Sequence, residues 1–260
     1  MSESLAVGGL ADRAAAGPAA GHAATAGTAA LDLRRKLQLA LGVIWVLDGI
    51  LQFQPSMFTR SFPSMLAESA HGNPAVVAGP ITWSAHLIDH HVVVLNALFA
   101  TTQLALGLGI AWRPTVRLAL AASVVWSLAV WWLGEGFGGI LAGTASPVSG
   151  APGPVIIYAV LAVLLWPADR DLGAPSVAGR AVGRRPAQAV WLVLWGSLAA
   201  FALLPASRAP EAISDMLTGG ADGAPAWLAW IDTHAASGAR RPGGRCSRRR
   251  PRARPRRRSR

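Results

Sequence analysis

His86 and His90 stand four residues apart, so on a helix their imidazoles share one face, with Asp89 and His91 beside them. Neutral imidazoles at that spacing can ligate zinc, copper or haem iron, and a neighbouring carboxylate can act as a ligand or orient one. His71 and Glu68 are the residues that would complete such a site. The plainer alternative is a polar cap, solvated where a membrane helix meets water. The sequence fixes no further ligand spacing, so the cofactor stays unknown, with Zn, Cu or haem at His86, His90 and His91 as the candidates.

Two carboxyls are placed differently. Asp48 is the ionisable residue well inside the first apolar stretch, and Gln52 follows one helical turn later on the same face. A carboxylate near the centre of a bilayer costs at least about 2.5 kcal/mol, so it normally faces a partner or a cavity. Asp48 is therefore either a proton relay or solute ligand, or a hydrogen-bonded aspartate at a helix interface. Glu135 opens the glycine-rich segment Gly134 to Pro154. Its GEGFGG run follows an apolar helix rather than a strand and has no Lys-Ser/Thr, which argues against a nucleotide loop. A re-entrant hairpin fits better, because irregular backbone at membrane depth must be buried in protein or line a cavity. Glu135 then either faces that cavity or sits in external water.

The elements that must position these groups are apolar stretches of membrane-spanning character. A helix needs about 20 apolar residues to cross the hydrocarbon core. Five stretches are expected as spans, at about Leu37 to Phe53, Val92 to Trp112, Val116 to Leu133, Val155 to Trp166 and Ala189 to Leu204. The fourth is short for a crossing. Residues 56–91 are expected as an external loop. Arg34, Arg35 and Lys36 flank the first stretch, Arg113 and Arg117 the turn between the second and third, and Arg170, Arg180, Arg184 and Arg185 the connection after the fourth. By the positive-inside bias these segments and the N-terminus are cytoplasmic. Trp83, Trp112, Trp131, Trp132 and Trp166 fall at stretch ends, where amphipathic rings settle at the headgroup level.

The net charge of +11 invites a nucleic-acid reading until it is located. Residues 240–260 hold twelve arginines and no acid, and 11 − 12 leaves −1 for the rest of the chain. A basic binding domain is thereby excluded for the body. The expected partners are the lipid bilayer and other membrane subunits, with no specific nucleic acid. The one cysteine, Cys246, lies in the same arginine-rich segment, so the body has no disulfide and no cysteine metal site. Residues 1–33, largely Ala and Gly, offer little to bury and read as a disordered leader.

The chain also resembles itself. At an offset of 150, Trp45 meets Trp195 and Pro55 meets Pro205; with one inserted residue, Met65-Leu66 meets Met216-Leu217, Gly72 meets Gly223 and Pro74 meets Pro225. Residues 34–187 thus form a four-span unit, and residues 188–236 the start of a second copy. Five spans from a cytoplasmic start would export the arginine-rich segment 237–260 against the charge bias. A run of Arg, Pro, Ala, Gly and Ser is what GC-rich codons yield out of frame, so this segment is expected to be a frameshifted or mis-called end.

Arg35-x-Leu37, Ala40-Leu41-Gly42, Trp45, Asp48-Gly49 and Phe53 resemble the first helix of the DoxX-like family of small four-helix membrane proteins, a likeness extending to about residue 170. That resemblance implies a compact four-helix bundle and, since some relatives are linked to quinone-dependent oxidation of sulfur compounds or to redox stress, a membrane redox role. It carries over no catalytic residue. The fold class expected is an all-α polytopic transmembrane bundle, one four-span unit plus the start of a second repeat. The function expected is a non-enzymatic membrane scaffold or small-solute carrier using Asp48 and the glycine-rich loop; the alternative is a redox or metal-binding membrane component using the histidines. No enzyme class follows.

Overall fold

A computed structural model describes residues 32–171, 173–209, 212–221 and 226–239, and all regular structure among them is helical. The first helix, α1, covers residues 32–52 and is followed by a 3-10 turn, Pro55–Phe58. Next come α2 (Ser61–Glu68), α3 (Ala75–His90), α4 (Val92–Ala111) and α5 (Val116–Leu133). After the glycine-rich loop come α6 (Pro154–Leu164), α7 (Val177–Val182), α8 (Arg184–Leu203) and the single turn α9 (Pro205–Arg208). A separate unit from Pro210 onward contains α10 (Ala212–Ala221) and α11 (Ala226–Ala239), which pack on each other. Residues 1–31 of the expected leader and 240–260 of the expected mis-called end lie outside the described residues, while residues 32–33 and 237–239 belong to helices α1 and α11.

Helices α1, α4, α5 and α6 form an antiparallel bundle, as contacts at its two ends establish. At one end the start of α1 meets the ends of α4 and α6. Arg35 donates to the carbonyls of Ile110 (3.0 Å) and Ala111, Gln38 donates to Leu165 (2.9 Å), and the buried Arg34 pairs with Asp169 at 2.6 Å. Arg35 thereby satisfies carbonyls that a helix leaves free at its C-terminus, where a cation is also favoured by the helix dipole. At the other end Gln52 of α1 and Asn96 of α4 pair reciprocally, Nε2 to Oδ1 at 2.5 Å and Nδ2 to the Gln52 carbonyl at 3.0 Å. The core between them holds Leu41, Trp45, Leu106, Ile110, Leu120 and Ala162. Trp45 is fully buried, and its Nε1 donates to Ser123 Oγ at 2.9 Å.

α1 and α4 approach closely because glycines face each other. A Cβ on Gly42 would stand 2.9 Å from the Gly107 carbonyl oxygen, and Gly49 is pressed against Leu104 and Ala100 in the same way. Small residues at such a seam let two backbones meet without a side chain between them.

Three segments are long and apolar enough to cross a membrane: Val92–Ala111, Arg113–Leu133 and Arg184–Leu203. α1 is of similar length but carries Asp32, Arg34, Arg35 and Lys36 in its first turns and Asp48 further on. α6, with 11 residues, spans only about 16 Å at 1.5 Å per residue. Residues 56–91 depart from the expected loop, since α2 and α3 occupy most of them. Val77, Ile81, Ser84, Ala85 and Ile88 recur at helical spacing and are the buried face of α3, which explains why this stretch packs instead of extending into water.

α8 contrasts with the bundle. None of its residues is buried, and Leu192 and Val193 are 71% and 70% exposed. It starts after Gly183, whose φ of 95° lets the chain turn between α7 and α8. The order long helix, proline-led turn, short helix, longer helix occurs twice, as α1, Pro55–Phe58, α2 and α3 and again as α8, Pro205–Arg208, α10 and α11.

Candidate functional site

The last two turns of α1 direct their polar residues to two different helices. Tyr158 of α6, the single tyrosine of the chain, donates its hydroxyl to the half-buried Asp48 carboxylate. Its ring stands edge-on to Trp45 at 5.1 Å, so tryptophan packing and the carboxylate together fix the phenol. Gln52 is not the companion of Asp48 that its place one turn away predicts. It pairs with Asn96 instead, because a glutamine and a buried asparagine satisfy donor and acceptor mutually and a carboxylate offers only acceptors.

Glu135 approaches the same region from the glycine-rich loop. Its Oε1 accepts the Val155 backbone N–H at 3.3 Å, a free donor in the first turn of α6. Its Oε2 is buried without a hydrogen-bond partner among the described residues. The carboxyl lines a cavity of about 290 Å³ with Gly138, Gly139, Thr144, Ser149 and Gly153. Glu135 is half-buried at the wall of this open cavity. Burial pushes this carboxyl up to about 7, against the opposing Val155 hydrogen bond and with a smaller contribution from the charge of Asp48. The charges on Asp48 and Glu135 both act on Tyr158.

The loop is folded tightly enough to hold that geometry. Trp131 Nε1 donates to the Pro152 carbonyl at 2.6 Å, and the Phe137 ring sits edge-on to Trp131 at 4.8 Å and stacks on Trp132 at 6.0 Å. Gly153, at φ 115°, lies directly against the Glu135 carboxylate, where any side chain would displace it.

The histidines are arranged otherwise. His86 and His90 do share a face of α3, with ring centroids 4.5 Å apart, and His90 Nδ1 bonds the His86 carbonyl at 2.8 Å. His91 marks the break between α3 and α4, and all three are exposed. Asp89 turns to Arg60 at 3.5 Å, while His71 bonds the Glu68 backbone at 3.0 Å. Among the described residues no group of three or more His, Cys, Asp or Glu side chains is arranged to hold a metal ion. Sequence reading missed Tyr158 and Asn96; the signals present were a lone tyrosine and a lone asparagine inside apolar helices.

Comparison with protein-family models, with curated proteins and with solved structures finds no match to this chain.

Proposed function

We propose that this chain is a multi-pass protein of the cell membrane that carries a small cationic solute in exchange for protons, using Asp48, Tyr158 and Glu135. The observation that carries the reading is that Glu135, with one carboxyl oxygen unpartnered among the described residues, lines a cavity and interacts electrostatically with the Asp48–Tyr158 pair. Two carboxyls offer acceptors and negative charge, which suits a cation. A carboxyl titrating at about 7 exchanges its proton near neutral pH, so proton and cation would compete for one site. In this proposal the end of the bundle bearing Arg34, Arg35, Lys36, Arg113 and Arg117 faces the cytoplasm, by the positive-inside bias. The DoxX-like assignment belongs to the same proposal, with α1, α4, α5 and α6 as the family's four-helix unit and α8 to α11 as the start of a second copy.

The test uses the full chain in liposomes loaded with a pH-sensitive dye and given tetraethylammonium outside. The expected result is lumenal alkalinisation, as the cation enters and protons leave in exchange, lost in Asp48→Asn and in Glu135→Gln at normal reconstitution levels. A rate no greater than that of protein-free liposomes, with this cation and with smaller alkylammonium ions, would remove the reading and leave a scaffold.

A further inference from the structure

We infer that the cleft between α6, α7 and α8 is a binding site for one anionic diacyl phospholipid, with its phosphate at Arg184 and an acyl chain along the cleft. This inference rests on the membrane location of α8 and not on the cation exchange proposed above, since neither Asp48 nor Glu135 lines the cleft.

The cleft measures about 910 Å³. Ile157, Val160 and Leu161 of α6 and Val190 and Leu194 of α8 form its apolar wall. Its polar members, Ser176, Arg184 and Gln188, all belong to the cap of α7 or the first two turns of α8. Polar groups thus sit at one end and hydrocarbon along the rest, the same division that a phospholipid carries. From Arg184 to Leu194 the helix rises about 15 Å, half of a hydrocarbon core about 30 Å thick, so the cleft is as deep as one leaflet. Past Ile157, Val160, Val190 and Leu194 it continues into a space of about 440 Å³ that no charged side chain lines.

Charge decides the headgroup. Arg184 stands in the lining itself, and Arg185 follows it in the same turn. Arg180 is only 9% exposed, and its Nε donates at 3.2 Å to the carbonyl of Ala174, a residue of the cleft wall. The ion pairs among the described residues take Arg34, Lys36 and Arg60 and none of these three arginines. The two acids of the α6–α7 connection are engaged elsewhere, Asp169 by Arg34 and Asp171 by the Gly173 N–H at 3.1 Å. A guanidinium buried without a carboxylate is costly, because a charge taken out of water needs a countercharge. A phosphodiester at the mouth supplies one, to Arg184 by contact and to Arg180 through space, and basic pockets between membrane helices hold anionic headgroups in this way. A zwitterionic lipid brings a cationic group together with its phosphate and offsets the gain.

The experiment is native mass spectrometry of the full chain, released from detergent micelles that contain equal amounts of dioleoyl phosphatidylglycerol and dioleoyl phosphatidylcholine. Expected is one retained lipid per chain, with phosphatidylglycerol preferred about tenfold. Arg184→Gln, an exposed position that folding tolerates, should lower that preference about fivefold, the effect of one basic residue on an anionic lipid. Arg113→Gln, at the same end of the bundle but outside the cleft, should leave it unchanged. Ala187→Phe fills the cleft without altering charge and should reduce retention of both lipids. Equal retention of the two lipids, or a preference unaltered by Arg184→Gln, would overturn the inference. A lipid-free dimer would overturn it by giving the cleft to a second copy of the chain. A chain that stays dispersed without detergent would overturn the membrane reading and this inference with it.

Discussion

At the residue scale, the behaviour of this protein near neutral pH rests on Glu135. Burial holds its proton up to about pH 7, whereas an unfolded chain releases it at the ordinary carboxylate value of 4.5. Between those values the folded state binds more protons than the unfolded one, so stability falls as pH rises from about 4.5 to about 7 and then levels off. Glu135→Gln keeps the shape and removes the titration. Its thermal unfolding midpoint in detergent should therefore be higher than wild type at pH 8 and nearly equal at pH 4, a crossover that a purely steric effect would not produce. The contrast with the histidines is instructive. Their i, i+4 spacing was visible in the sequence and the structure does bring His86 and His90 together, rings tilted and 4.5 Å apart, but both are exposed, with no third ligand beside them among the described residues. Glu135, by contrast, lies in an unpromising glycine-rich run and comes to interact electrostatically with Asp48 and Tyr158.

At the element scale, the α1–α4 seam depends on Gly42 and Gly107 more than on any large side chain. A valine at Gly107 would meet the Gly42 carbonyl and the Val46 side chain, with no room for either backbone to yield. Overpacking of this kind costs about 1–3 kcal/mol, and here it also pulls Gln52 from Asn96 at the end of the same seam. Gly107→Val is expected to lower the unfolding midpoint by several degrees, with Gly196→Val on α8 as the control, since a Cβ there meets nothing within 4 Å. Equal losses in the two variants would show that the seam contributes nothing. The helical periods of α4, α5 and α8 were legible as uninterrupted apolar runs. The helix α3 was equally present in the spacing of Val77, Ile81, Ser84, Ala85 and Ile88, but it was hidden by its neighbours: prolines at 74 and 80 and a histidine-rich end resemble a loop when judged by composition.

At the scale of the whole molecule, charge and polarity segregate to the two ends of the bundle. Arg34, Arg35, Lys36, Arg113 and Arg117 gather at the end where α1 begins, and Glu68, His71, His86, Asp89, His90 and Glu135 toward the end where α1 finishes. The orientation proposed from the positive-inside bias can be measured. With Cys246→Ser as background, His71→Cys should react with a membrane-impermeant maleimide added to intact cells, and Lys36→Cys should react only after permeabilisation. The reverse pattern would invert the topology and place the Glu135 cavity on the cytoplasmic side. The unit from Pro210 onward is compact by itself, so the bundle and its site can be considered without it.

The sequence by itself determined that the chain is helical, that several helices are apolar enough for a bilayer, that basic residues sort to alternate connections, and that Asp48 and Glu135 are carboxyls in unusual places. All of these are local properties, set by composition and by periodicity over one or two turns. Tertiary structure decided which faces meet. It gave Asp48 to Tyr158, about 110 residues away, and Gln52 to Asn96. Such choices depend on how each helix is rotated and how closely two backbones approach, and single glycines at Gly42 and Gly107 set that approach where the hydrophobic pattern is silent.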